Sequence, residues 1–167
     1  VMVLREYAHR TRANGQASEE MVSLFRKLAL NDKNPTVRAE AIAVIGRRRL
    51  AGEREILETI VRKESHVTVR QRAIVSLART AGAKSLPVLR EVMESDAEEG
   101  VRASTVLALT LIGAEALPAL ETVARDDKSA EIRNRARRAI ENIRFSIENE
   151  QKNRMRVGDK EAAPPYS

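Results

Sequence analysis

The sequence predicts an all-α array of stacked helix pairs, and three observations support this prediction. A Val-Arg motif, or its Ile-Arg equivalent, recurs at intervals of 32, 32 and 31 residues and starts at Val37, Val69, Val101 and Ile132. Each copy has an acid five residues before it, a small residue four residues after it and a branched aliphatic eight residues after it. Apolar side chains around each copy follow helical spacing, with no competing strand alternation. When the same residue types recur at several fixed distances from a motif, and all with one period, they indicate a repeat array. We call each such set of equivalent positions a column.

The composition favours thin layers of helices. Hydrophobic residues make up 43% of the 167 residues, but aromatic residues only 2%, so Leu, Ile, Val and Ala must fill the core. The chain has no cysteine, which excludes disulfides and thiol chemistry and fits a reducing compartment, so we expect a cytoplasmic protein. No apolar run approaches the roughly 18–20 residues that cross a bilayer. Arg5, Glu6 and Arg10 interrupt the apolar start, so we do not expect a signal peptide.

Each repeat consists of a partner helix followed by a Val-Arg helix. In the third copy, Val101, Thr105 and Leu109 form an apolar stripe that Gly113 can end, and Pro118 then lies near the first turn of the next helix. We predict helices at 1–13, 17–30, 35–49, 53–63, 67–81, 84–94, 99–112, 115–125 and 130–150. The predicted array covers 1–150, divided into 1–13, 17–49, 53–81, 84–113 and 115–150, with 151–167 as a disordered polar tail.

These columns resemble the HEAT-repeat family, particularly its branch of short bacterial repeats of the bilin-lyase type. The resemblance is clearest at Leu86-Pro87-Val88-Leu89 with Asp96, which leads to Val101-Arg102, and the next repeat has the same pattern. The resemblance implies a right-handed α-α superhelix, a HEAT-like solenoid of about four helix pairs plus an N-terminal helix. It also implies that the Val-Arg helices line the concave face, and that residues 1–13 are the second helix of an incomplete repeat.

The resemblance further implies a structural ladder of charges along the array. Its arginines are Arg38, Arg70, Arg102 and Arg133, which are expected to pair with the acids Asp32, Glu64, Asp96 and Asp127. Acid and base occur together in all four copies, and buried charges require partners. We therefore expect these arginines to stabilise the fold rather than to bind a ligand.

The net charge of +6 lies mainly on the Val-Arg helices, since the partner helices are close to neutral. Positions three, six and ten residues after the start of each motif are expected to be exposed on the concave side. The basic residues there are Arg47, Arg72, Arg79, Arg135 and Arg138, and the apolar ones are Ala43, Val75, Leu107 and Leu111. The pattern predicts a binding strip with a basic rim and an aliphatic middle, and a solvated helix face is the alternative.

These features favour a non-catalytic protein-binding scaffold or adaptor that attracts an acidic segment or helix. Nucleic-acid backbone binding is the alternative suggested by a pI of about 10.0, although aromatic residues for base stacking are scarce. A third possibility is a structural arm of a larger protein. We predict no catalytic residue, cofactor or metal site. His9 and His66 stand apart in the sequence, no glycine-rich phosphate loop occurs, and enzymatic activity rests on fold analogy alone.

Overall fold

The computed structural model of the chain describes residues 19–48 and 52–161, with side chains to residue 155. These residues contain helices and no strand. The helices are α1 (Glu19–Asn31), α2 (Pro35–Arg48), α3 (Arg54–Lys63), α4 (Val67–Ala81), α5 (Leu86–Ser95), α6 (Glu99–Ile112), α7 (Leu117–Asp126) and α8 (Ala130–Glu161). Short 3-10 turns, Gly82–Ser85 and Ala114–Ala116, lead into α5 and α7. The predicted all-α solenoid is confirmed, and the predicted helix 1–13 lies outside the described residues.

Glycines with left-handed backbones end two of the Val-Arg helices. Gly82 has φ 54° and Gly113 has φ 86°, a region that only glycine enters without steric cost. Their N–H groups donate to the carbonyls of Ala78 and Leu109 and so satisfy the last turns of α4 and α6. The chain then turns within three or four residues into the next partner helix, which packs mainly against the Val-Arg helix that follows it.

The repeating columns face the interior. We number motif positions as the count of residues after the initial Val or Ile. The small residues at the fourth position are all fully buried, and the branched aliphatics at the eighth position are buried as well. These are Ala41, Ala73, Thr105 and Ala136, followed by Ile45, Leu77, Leu109 and Ile140. Small side chains let neighbouring helices approach, and the aliphatic side chains fill the space between them. The period read from the sequence is thus the period of the core.

The Val-Arg helices pack directly against one another in series, whereas the partner helices touch one another only sparsely. A cavity of about 340 Å³ separates α5 from α7 and is lined by Met93, Pro118 and Leu109. Between α2 and α4 the approach is close, since the Ser76 hydroxyl donates to the carbonyl of Ile42 at 3.0 Å. The tighter packing of one layer is what an array with α2, α4, α6 and α8 on a concave side requires.

The last Val-Arg helix departs from the pattern on the side that faces away from α6. The fifth position of the motif is buried and aliphatic in the three earlier copies but is the exposed Arg137 in α8. The ninth position is Gly46, Ala78 and Thr110 in the earlier helices, and the exposed Glu141 in α8. The outward side of the last helix is therefore charged where its counterparts pack against a neighbour.

Helix α8 is longer than predicted. We expected 151–167 to be a disordered polar tail, but the helix continues to Glu161. Glu, Gln, Lys, Arg and Met dominate this segment, and these residues favour a helix even where no apolar stripe is present. An ion pair of 2.9 Å between Glu148 and Lys152 adds support at i,i+4 spacing. Residues 162–167 lie outside the described residues.

None of the described helices combines the length and the apolar character needed to cross a membrane.

Candidate functional site

A ladder of arginine and carboxylate side chains joins successive repeats along the turns that precede the Val-Arg helices. In each rung, Nη1 of the arginine donates to the main-chain carbonyl of the acid of its own repeat. The Nε and Nη2 groups of the same arginine donate to the carboxylate of the acid in the following repeat. The rungs are Arg38 with Glu64, Arg70 with Asp96, and Arg102 with Asp127, with Nε–O distances of 2.9, 3.1 and 2.9 Å.

The expected acids are therefore present, but each arginine reaches the side chain of the next acid rather than its own. Arg38, for example, meets Asp32 through its main-chain oxygen at 2.8 Å. Each acid also accepts a hydrogen bond of 2.8 or 2.9 Å from the backbone N–H two residues later. The acceptors are Asp32, Glu64, Asp96 and Asp127, and the donors are Asn34, His66, Glu98 and Ser129. Except for Asp32, each carboxylate thus accepts hydrogen bonds both from the backbone of its own turn and from the arginine of the preceding repeat.

The ladder is most deeply buried at its third rung. The side chain of Arg102 is 2% exposed and that of Asp127 is 3% exposed, whereas the first two rungs keep some contact with water. The side chain of Arg133 donates to the carbonyls of Asp127 and Lys128, and no carboxylate in the described part of the chain pairs with it. Arg102 and Arg133 therefore occupy equivalent positions with very different surroundings.

The surroundings of Glu64 give the ladder a pH dependence. Burial raises the pKa of Glu64, but the hydrogen bond from Arg38, the backbone N–H of His66 and their charges outweigh burial. The net effect is a pKa below the ordinary value. A carboxyl group whose pKa is lower in the folded state stabilises the fold above its unfolded pKa. That stabilisation is lost as the pH falls through the folded pKa.

We expect the difference in unfolding free energy between the wild type and Glu64→Gln to be largest near pH 6. It should narrow as the pH falls to about 3, below the ordinary carboxyl pKa of about 4.3. Urea unfolding at a series of pH values measures this difference. Glu94→Gln is the control, because Glu94 is exposed and makes no ion pair within the described residues. A constant difference across this range would show that the rung contributes nothing through its charge.

A second buried acid was not anticipated from the sequence. Glu53 is fully buried before α3, and its carboxylate accepts hydrogen bonds from Nε and Nη2 of Arg26 on α1. The residues at the same position in the next two repeats are Ser85 and Ala116, both fully buried. The sequence did contain a signal for this ion pair. A Glu at a position that holds small buried residues in the later repeats is expected to be buried and to need a cationic partner. The resulting ion pair links the first and second repeats on their outer side.

Most residues of the predicted strip are exposed. We call the exposed side chains at the third, sixth and tenth motif positions of α2, α4, α6 and α8 the inner face. Its arginines, Arg47, Arg72, Arg79, Arg135 and Arg138, are all exposed. Leu107 is 51% and Leu111 47% exposed, and Val75 is half-buried. Ala43 does not belong to this face, because residues 41–46 of α2 are buried on every side of that helix.

The inner-face arginines differ in their partners. Nε of Arg135 donates to Glu131 one turn earlier at 2.9 Å, and both side chains are about half exposed. Arg47, Arg72, Arg79 and Arg138 form no ion pair with any described residue. Among the described residues, Arg135 is thus partly neutralised, whereas no ion pair offsets the positive charge of the other four.

A depression of about 530 Å³ lies at the end of the inner face where the Val-Arg helices terminate. Its lining includes the tenth motif position of three successive helices, namely Arg47, Arg79 and Leu111. Gly82 and Ala83, in the turn after α4, and Glu115, in the turn after α6, also line it. The remaining predicted strip residues do not line it. Periodicity alone indicated a continuous strip, but it could not show that one row forms a hollow.

Within the described residues, no three His, Asp or Glu side chains come together in an arrangement that could hold a metal ion. His66 is the exposed N-cap residue of α4, and His9 lies outside the described residues. The chemistry that the inner face offers is therefore charge attraction by arginine and apolar contact by leucine and valine.

Comparison with known proteins gives one match. The family model described as HEAT repeats matches residues 3–78 and 55–141, two overlapping stretches that together span most of the chain. No curated protein and no solved structure matched. The period, the arginine-acid ladder and the packing order of the helices agree with this assignment.

Proposed function

The chain belongs to the HEAT-repeat family, and from this premise we propose that it is a protein-binding scaffold whose inner face receives an acidic segment of a partner. HEAT repeats are commonly protein-interaction scaffolds. A curved stack presents an extended surface without needing any reactive group. The absence of cysteine supports a cytoplasmic setting for this function.

The observation that carries the proposal is the exposed pair Leu107 and Leu111 on α6. They lie one helical turn apart and remain about half exposed, while the aliphatic residues of the repeating columns are buried. Arg72 and Arg79 on α4 flank them on one side, and Arg138 on α8 on the other. With neighbouring helices about 8–10 Å apart, the face is an apolar ridge between two basic rows. Such a surface complements a segment with apolar residues between acidic ones.

The same arginines could attract a nucleic-acid backbone, which is the second candidate. Four arginines on one face that form no ion pair with a described residue favour phosphate contacts, and such binding would fall steeply with salt. The leucines at the centre of the face argue against this candidate, because phosphate and sugar offer them no apolar partner. A role as a structural arm of a larger protein is compatible with the first proposal, since an arm can also bind a partner.

The test is a pull-down with the intact chain at low and high salt, with and without nuclease. We expect Arg72→Glu combined with Arg138→Glu to abolish capture, and Leu107→Ser to weaken it, without a change in thermal unfolding. Arg138 is preferred to Arg135 because Arg135 is engaged with Glu131. The matched control is Lys27→Glu with Arg90→Glu, two exposed positions on the partner helices, which changes the net charge equally.

Retention of a protein partner by the control, and its loss from the inner-face variant, supports the scaffold. Loss of the bound material after nuclease treatment assigns the face to nucleic acid instead. Equal loss in both charge variants would show that net charge, and not this face, governs binding.

A further inference from the structure

The depression at the tenth motif positions presents equivalent side chains at regular intervals along its length. Arg47, Arg79 and Leu111 occupy the same position on three successive helices and line one hollow. We propose that this hollow binds an extended segment that runs across the helices and carries two acidic residues three positions apart, followed by an apolar residue three positions later. The inference rests on the proposed scaffold function and specifies the part of the partner that lies over α2, α4 and α6.

The spacing follows from the repeat. Adjacent packed helices lie about 8–10 Å apart, so equivalent side chains on α2, α4 and α6 recur at about that distance. A segment in the extended polyproline II conformation advances about 3.1 Å per residue with three residues per turn, so every third side chain lies on the same side at intervals of about 9 Å. Side chains at positions one, four and seven of a bound segment thus meet Arg47, Arg79 and Leu111 in turn. Close packing of Gly46 against Ser76 fixes the first of these steps.

The spacing of the helices favours an extended segment over an α-helix. Three residues of an α-helix advance only about 4.5 Å, roughly half of the distance between neighbouring helices of the array. Three residue steps along a polyproline II segment span that distance and place the side chains at their two ends on the same side.

The charges give the segment a direction. Arg47 and Arg79 are exposed and form no ion pair within the described residues. Glu115, in the turn that follows α6, also lines the hollow. A carboxylate placed near Glu115 would be repelled, whereas an apolar side chain would cover Leu111. The two acids of the segment therefore lie over α2 and α4, and the apolar residue lies over α6.

The test compares two peptides of identical composition in an NMR titration of the intact chain, observing the amides of Gly82 and Ala83, which line the hollow. The matched peptide is acetyl-GESSESSLG-amide, and the mismatched peptide, acetyl-GESESSSLG-amide, moves the second acid by one position. We expect the matched peptide to bind about threefold or more tightly, the size that an exposed arginine-carboxylate contact allows.

Two variants separate this inference from the general function. Arg79→Gln removes the central contact and should equalise the two peptides. Arg138→Gln lies on the inner face outside the hollow and should preserve the preference for the matched peptide. Equal binding of both peptides to the wild type would overturn the register while leaving the inner face as a binding surface. Absence of any shift at Gly82 and Ala83 would overturn the hollow as the site.

Discussion

Replacement of Arg102 by alanine is expected to lower the free energy of unfolding by about 3–5 kcal/mol, because it leaves a buried carboxylate without its cation. Arg102 and Asp127 are almost inaccessible to water. The guanidinium also satisfies the carbonyls of Asp96 and Ala97 at 3.0 and 3.1 Å. The variant therefore loses hydrogen bonds in two repeats at once. Thermal unfolding followed by circular dichroism should show a midpoint lower by about 10 °C.

Arg133→Ala is the matched control for this substitution. It removes the same side chain from the equivalent position of the next repeat, where its hydrogen-bond acceptors among the described residues are main-chain carbonyls. We expect a loss of about 1 kcal/mol, in the range of ordinary hydrogen bonds. Similar losses in the two variants would mean that the ion pair with Asp127 does not stabilise the fold and that the ladder is incidental to it.

Substitution of Gly46 by alanine is the second change expected to have a large effect. It should lower the free energy of unfolding, although helix propensity alone would raise it. Alanine in a helix interior is usually favoured over glycine by about 1 kcal/mol. Here the added Cβ would lie 2.7 Å from the Cα of Ser76 and still closer to its side chain. Since backbone cannot move aside without separating α2 from α4, we expect a net destabilisation of about 1–3 kcal/mol.

Gly100→Ala provides the comparison. Gly100 is also helical, in the first turn of α6, but its added Cβ would meet only the side-chain nitrogen of Gln71 at 2.9 Å. That flexible side chain can move, so stability should stay unchanged or rise by up to about 1 kcal/mol. Urea unfolding of both variants tests the pair. An unchanged or increased stability of Gly46→Ala would show that α2 and α4 are not in close contact at this point.

The periodic part of the fold was predictable because the columns record direct packing. The position that Leu77 occupies is buried in every copy of the repeat, so an aliphatic residue recurs there with the period. The pairing within the ladder was not predictable in detail. An arginine and an acid six residues apart suggest a local pair, whereas the arginine extends to the next repeat. Spacing along the chain cannot distinguish these two arrangements.

The repeat pattern failed to predict burial or partners at positions whose surroundings differ from those of their counterparts in the other repeats. Ala43 follows the exposed column but is buried, because α2 is covered on more sides than the later Val-Arg helices. Arg135 shares its column with Arg72, yet it is engaged by Glu131. Glu53 replaces a small residue and obtains its partner from another repeat. Each of these depends on three-dimensional neighbours, which a count of positions from a motif does not contain.

The charged outward side of α8 also bears on how these molecules behave at high concentration. A stack of similar layers can in principle lengthen without limit, since each new layer offers the same surface to the next. Another layer added at α8 would have to strip water from Arg137 and Glu141, which costs several kcal/mol for each unpaired ion. Fibre growth from that end is thereby disfavoured, and the curved surface stays available to other molecules.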